Sequence, residues 1–237
     1  METAQIIIIV LIISGIVCIS VSLGTGIMSL LEDYWIDYAY STTVSTTVSG
    51  LPATVVAVAK ANIGLFTTCY NIDTTTTVST GFSTITTNQN SNACVGSETT
   101  GYISKDTVTL IQEVGKAAAA LIGLALLSGI VILVLFFINK LAKPVCFVSL
   151  TPAVFALVST VMILAAILIL NDSLVSGMSL GATATFGYVA TVFAFVSTVT
   201  YSIAAALIIK MAIDASKTKV TQVTPQDDEK KSQSDLK

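Results

Sequence analysis

The side chains that could carry out chemistry are few, and most of them lie between the first two apolar segments of the sequence. The two cysteines of this region are Cys69 and Cys94, and the acids that could line an ion path are Glu32, Asp33, Asp37 and Asp73. Carboxylates along a water-filled path set its charge selectivity. The alternative interpretation is that they are ordinary solvated loop charges.

Catalysis has little support in the composition. The chain has no histidine, and therefore has neither an imidazole base nor a histidine-containing metal site. It also has no phosphate-binding loop, no nucleophile motif and no cysteines at metal-ligand spacing. The sequence therefore predicts a protein that is not an enzyme and that requires no cofactor and no metal ion.

Four charge-free apolar segments must position these residues. Of the 237 residues, 54% are hydrophobic and only 11% are charged, whereas a soluble domain carries about 25% charged residues. Apolar runs of about 18 residues or more predict membrane-spanning helices. The four predicted spans are Ile6–Ile27, Ala117–Ile138, Val145–Leu170 and Phe186–Ile209. The first lacks a basic leader and exceeds the apolar length of a signal peptide, which predicts a retained signal anchor.

The lysines predict the orientation of the spans. All 11 basic residues are lysines. They concentrate in the short link 140–144 and in the tail after the fourth span, whereas acids outnumber lysines in the first loop. The positive-inside rule then puts both termini in the cytoplasm and the large first loop outside. No basic patch predicts binding to nucleic acid.

The predicted topology places Cys69 and Cys94 in an oxidising compartment, where pairing is expected. Such a bond would contribute about 3 kcal/mol in the chain-entropy picture, and two free thiols are the alternative. Cys146 lies beside the cytoplasmic lysine link, where it is a candidate for palmitoylation or only a packing residue. Asn171 begins a formal glycosylation site that is expected to be poorly modified, because it adjoins a span.

The first loop has the composition of strands. Three segments are rich in Thr, Val, Ser and aromatic residues, namely Tyr40–Val48, Leu65–Tyr70 and Thr74–Thr87. Gly50-Leu51-Pro52 and Gly81 provide the expected turns. A low-complexity, O-glycosylated stretch is the alternative for the threonine run. Trp35 and Phe66 are the expected anchors of the sheet on the helix ends. Trp35 could also be an interfacial aromatic residue, and both interpretations could hold.

Trp35, the motif Gly64-Leu65-Phe66-x-x-Cys69 and Cys94 together resemble the signature of the claudin superfamily. This group includes claudins, relatives of peripheral myelin protein 22, and the gamma-type subunits of AMPA receptors and calcium channels. The sequence departs from the pattern in three ways. Phe66 stands where the family has Trp, the cysteines are farther apart, and the terminal Leu236-Lys237 is not a PDZ-binding end.

The resemblance implies an all-α membrane four-helix bundle that carries a small extracellular antiparallel sheet. Residues 1–209 would form the four-span domain, 28–112 its sheet, and 210–237 a disordered cytoplasmic tail. The implied function is cell–cell adhesion or a paracellular barrier at the plasma membrane, through self-association in cis and trans. An auxiliary subunit of a channel or receptor, or an organiser of membrane domains, is the alternative. Besides these proteins, the expected partner is membrane lipid.

Overall fold

A computed structural model of the chain describes residues 3–31, 35–64, 67–79, 83–96, 104–138, 148–174 and 178–223. Within them lie four long helices, each apolar and long enough to cross a membrane. They are α1 (Thr3–Leu31), α2 (Lys105–Phe137), α3 (Thr151–Asp172) and α4 (Ala182–Val223). The four predicted apolar helices are therefore confirmed.

Helices α1, α2 and α4 are longer than the apolar segments that predicted them, and the extension is largest in α2 and α4. Helix α2 begins at Lys105, where the Ser104 hydroxyl accepts a hydrogen bond of 3.1 Å from the Thr107 backbone N–H and so caps the first turn. Helix α4 continues to Val223, so the first part of the predicted disordered tail is helical. Residues 210–223 contain neither glycine nor proline and include several alanines and lysines, which favour a helix. The rest of the predicted tail lies outside the described residues.

The strands form one antiparallel sheet in the order β4-β3-β2-β1-β5. They are β1 (Ile36–Val48), β2 (Leu51–Ile63), β3 (Thr67–Ser79), β4 (Thr84–Gly96) and β5 (Met178–Leu180). Each of the first four strands has 13 residues, roughly twice the usual strand length. The sheet is therefore much larger than the small sheet that the sequence predicts.

The strand boundaries differ from the predicted ones because the first turn is tighter than expected. Ser49 and Gly50 both have positive φ, at 54° and 83°, which is the backbone of a two-residue hairpin turn. Leu51 and Pro52 therefore begin β2 instead of belonging to the turn. The predicted segment Thr74–Thr87 is divided between the end of β3 and the start of β4.

The chain divides into two compact units, and each has its own core. The sheet unit comprises the described residues of 21–120 and 159–192, with all five strands. Its core surrounds Trp35 and Ile36. The helix unit comprises the described residues of 1–20, 121–158 and 193–237, and its core surrounds Tyr201.

Candidate interaction surface

Trp35 anchors the sheet in the core of the sheet unit. Its side chain is buried, and its indole N–H donates a hydrogen bond to the backbone carbonyl of Ser29, at the end of α1. The ring packs in one cluster with residues of β1, β2, α2, α3 and α4, among them Ile63, Ile111 and Ile167. Trp35 is therefore the core anchor that one of the two interpretations of the sequence predicts.

Backbone hydrogen bonds hold the base of the sheet beside Trp35. The Gly181 N–H donates to the Trp35 carbonyl at 2.8 Å, where β5 leads into α4. The short strand β5 pairs with β1 from Ile36↔Leu180 to Tyr38↔Met178. Gly64 is buried, and its N–H donates to the Thr67 carbonyl at 2.8 Å in the connection from β2 to β3.

Cys69 and Cys94 form the predicted disulfide. The two residues are direct cross-strand partners on β3 and β4, with their Cα atoms 4.1 Å apart. Because their spacing along the chain matches the register of a long hairpin, the enlarged cysteine loop is the β3–β4 hairpin itself. The bond lies at the end of this hairpin that is far from its turn.

The register separates the charged side chains of β1–β4 from the apolar ones. Successive side chains of a strand point to opposite faces of the sheet. All three charged residues of these strands, Asp37, Lys60 and Asp73, share one face, which we call the charged face. The disulfide lies on the same face, together with a group of asparagines: Asn62, Asn71, Asn88, Asn90 and Asn92.

The two acids of the charged face have polar surroundings. Asp73 accepts a hydrogen bond of 2.6 Å from the Asn90 amide on the neighbouring strand, and both residues are exposed. Lys60 lies diagonal to both acids, because its partners in the register are Ala39 and Asn71. At this diagonal spacing a long side chain can reach an opposite charge, and such pairs contribute about 0.2–1 kcal/mol. The acids therefore belong to a solvent-facing polar surface and do not converge on one point.

The opposite surface, which we call the apolar face, carries no charged residue on β1–β4. Its rows near the helices contribute Ile36, Ala61 and Ile63 to the core around Trp35, with Tyr38 and Tyr70 packed against it. Beyond them the same face continues along the strands with mostly apolar and threonine side chains. The described helices cover the part of this face nearest to them, whereas most of the side chains beyond it are exposed or half-buried.

Strand β4 forms one outer edge of the sheet. All of its 13 residues are exposed, and within the described sheet it pairs only with β3. It contains no charged residue and no proline. Natural proteins protect edge strands with such residues, because unpaired N–H and C=O groups are a template for another strand. This strand is therefore an unprotected edge.

The opposite edge is also free over most of its length. Strand β5 covers β1 only from Ile36 to Tyr38. The described sheet places no strand beside β1 from Ala39 to Val48. These residues again include no charge and no proline, so the sheet has two long edges of similar chemistry.

Several predicted site residues lie outside the described residues, so the structure does not test them. They are the acids Glu32 and Asp33, the motif residues Leu65 and Phe66, and the lipidation candidate Cys146. Of the predicted residues that are described, Trp35 and Gly64 lie at the base of the sheet. The disulfide, Asp37 and Asp73 lie on the charged face.

The sequence analysis missed Tyr201 in α4, which is the centre of the core of the helix unit. Its side chain is buried, and its hydroxyl has no hydrogen-bond partner among the described residues. The ring lies against Gly15 of α1 and Gly129 of α2, where a β-carbon would collide with it. The signal available in the sequence was a tyrosine deep within an apolar segment, with glycines in two others.

Neither a scan against protein-family models nor a search of curated proteins finds a match to this sequence. The geometry of the sheet and the motif residues therefore provide the basis for inferring the function.

Proposed function

We propose that this protein is a non-enzymatic, multi-pass protein of the plasma membrane that connects neighbouring cells or seals the space between them. In this proposal both termini are cytoplasmic and the sheet extends outside the cell. The protein acts by associating with further copies of itself through the sheet, side by side within one membrane and face to face across the gap between two.

The observation that carries the proposal is the unprotected edge formed by β4. An exposed strand can receive a strand from another molecule through backbone hydrogen bonds. Since β4 has no charge, an identical strand that approaches it meets no electrostatic repulsion. A row of 13 exposed residues is long enough to join two sheets firmly.

The free part of β1 allows copies of the protein to associate in rows as well as in pairs. If β4 of one copy pairs with β1 of the next, the contact is head to tail, and such contacts generate open rows of molecules. If β4 pairs with β4 of a second copy, the contact is symmetric and stops at a dimer. Rows of molecules in one membrane would suit a barrier, because they leave no gaps along the line of contact.

A charge placed on the edge tests the proposal. We expect Asn88→Lys, an exposed position on β4, to reduce side-by-side association, because an edge lysine opposes strand pairing. The matched control is Thr54→Lys, exposed on the same face of the interior strand β2. The measurement is energy transfer between differently labelled copies in cells, together with enrichment at contacts between two expressing cells.

The same assay distinguishes the two kinds of edge pairing. Thr43→Lys places the charge on the free edge of β1. Loss of association with both Asn88→Lys and Thr43→Lys indicates head-to-tail rows, and loss with Asn88→Lys alone indicates symmetric pairs. Uniform distribution of the wild-type protein over the surface, with stable co-purification of a channel or receptor, would refute the adhesive role and favour an auxiliary subunit.

A further inference from the structure

The apolar face extends well beyond the helices that cover its base. In the rows from Tyr40 to Leu51, its large side chains are 36–57% exposed: Tyr40, Val44, Leu51, Ile72 and Ile85. Between them lie only alanines, valines, hydroxyl residues and one glutamine, and no charged residue belongs to these rows. We call this surface the distal apolar patch.

The size of the patch approaches that of a specific interface. Four strands at a spacing of about 4.8 Å, and eight residues at a rise of about 3.4 Å, give roughly 500 Å². Two such patches in contact would remove about 1,000 Å² from water, which is near the lower limit for a specific protein–protein interface. The largest apolar patch of a typical monomer measures about 300–600 Å² and is often functional, and this face, which also carries threonines, is of that size.

The shape of the patch is complementary to that of a second, identical patch. Strand β2 contributes smaller side chains to this face: the half-buried Ala57 and Ala59, followed towards the turn by Val55 and the buried Ala53. Ala59 leaves a depression between Tyr40 of β1 and Ile72 of β3. When two identical faces meet about a two-fold axis, a projecting side chain of each can enter the depression of the other.

The distribution of charges also favours a second copy of this chain as the binding partner. All three charges of β1–β4 lie on the charged face, so two apolar faces can approach without repulsion and without stripping water from ions. Packed sheets lie about 10 Å apart, with their strand directions within about 30° of each other. Each patch would then become the inner layer of a sandwich whose outer layers are the charged faces.

We propose that the distal apolar patch is the face-to-face contact site for a second copy of this chain, and that two sheets pack there as a symmetric sandwich. This inference rests on the proposed function, because it identifies the surface used for association across the gap. It is independent of the β4 edge, which serves side-by-side pairing.

Site-specific cross-linking tests this arrangement in the full-length protein. With Cys18 and Cys146 changed to alanine, Ala57→Cys and its cross-strand partner Thr74→Cys each place one thiol in the patch. The controls Val56→Cys and Thr75→Cys are also cross-strand partners, similarly half-buried, but on the charged face. A bismaleimide with a reach of about 10 Å is added to co-cultured cells that carry two differently tagged forms.

We expect a covalent dimer of the two tagged forms from Ala57→Cys and Thr74→Cys, and at least a several-fold smaller yield from the controls. Adding Thr76→Lys to the Ala57→Cys protein should lower its dimer yield by roughly tenfold, because like charges then meet across the axis. Adding Thr75→Lys instead should not. Thr76 and Thr75 are neighbours on opposite faces with similar burial, so a folding defect would affect both.

The outcomes separate the two proposals. Equal dimer yields from both faces, a larger yield from the control face, or cross-linking only to another protein would overturn the sandwich. If no variant forms dimers while wild-type protein still collects at contacts between expressing cells, the sandwich is wrong and the adhesive function stands. If wild-type protein neither collects there nor forms dimers, both proposals fail.

Discussion

Trp35 and Tyr201 are the central aromatic residues of the two cores, but only the polar atom of Trp35 has a hydrogen-bond partner among the described residues. Each is a buried aromatic residue at the centre of a core. The indole N–H of Trp35 donates to the Ser29 carbonyl, whereas the Tyr201 hydroxyl has no partner among the described residues. The central aromatic side chain of the sheet unit therefore combines packing with a directional bond, whereas in the helix unit a directional bond between α4 and α1 comes from Ser197, whose hydroxyl donates to the Gly15 carbonyl at 3.1 Å.

The two residues differ in this way because they connect different kinds of structure. Trp35 stands between a strand and several helix ends, and a hydrogen bond fixes one orientation among surfaces of different kinds. Tyr201 stands between helices, where glycines let the ring approach backbones directly. A buried hydroxyl without a partner costs free energy, so Tyr201 should be valuable for its ring and not for its oxygen.

The largest effect is expected from Trp35→Ala. Removing a buried tryptophan leaves a cavity and should lower the free energy of unfolding by about 3–5 kcal/mol. The loss should fall on the sheet unit, because all the neighbours of Trp35 in its core belong to that unit. Size-exclusion thermostability in detergent measures it. An effect no larger than that of an exposed substitution such as Thr54→Ala would contradict the anchoring role.

Cys94→Ser is expected to come next. Loss of the cross-strand disulfide should destabilise the sheet unit by about 3 kcal/mol, and should leave the helix unit nearly unchanged. The single tryptophan is Trp35, so its fluorescence reports denaturation of the sheet unit. Because the helices are divided between the two units, only part of the helical circular dichroism signal should be lost with the fluorescence. Cys18→Ser, at a free cysteine, is the control. Loss of the whole helical signal in the same step would show that the two units unfold together.

Gly129→Ala should have an intermediate effect on the helix unit. The new methyl group would meet the Tyr201 ring and hydroxyl, and such overpacking costs about 1–3 kcal/mol. Gly123→Ala on the same helix is the matched control, since no atom lies within 4 Å of the added carbon. Adding Tyr201→Phe should restore part of the loss in Gly129→Ala. Equal thermal stability of the two alanine variants would show that Tyr201 does not press against Gly129.

The smallest effect is expected from Tyr201→Phe. Because the hydroxyl is buried without a partner, its removal should change the free energy of unfolding by less than about 1 kcal/mol or stabilise the protein. Trp35→Phe, which loses a hydrogen bond, should cost more. Thermal unfolding of the two variants beside the wild type measures the difference. A large loss from Tyr201→Phe would mean that the hydroxyl has a bonding role.

The four helices could be predicted from the sequence because a long charge-free run has few other structures available to it. The disulfide and the burial of Trp35 could also be predicted. The disulfide follows from the predicted oxidising compartment, and the burial follows from the residue type. The strand content of the first loop followed from its threonines and valines. These features depend on the composition of each segment and not on which segments contact each other.

The missed features depend on pairing. Strand β2 carries Pro52 near its start and Lys60 within it, and four alanines interrupt its valines, so its own sequence indicates a strand less clearly than those of its neighbours. It is held between β1 and β3 over its whole length. Strand β5 has only three residues and exists because β1 passes beside it. The two faces of the sheet could not be separated before the register was known.

The position of the Cys69–Cys94 bond has a mechanical consequence. If a neighbouring copy pulls on β4, the load passes to β3 through the hydrogen bonds along the hairpin and, near its base, through the covalent bond. Strands that rise about 3.4 Å per residue are already close to the full extension of a chain, so the hairpin hardly lengthens. The disulfide thus keeps β4 attached to β3 even where the hydrogen bonds between the two strands open.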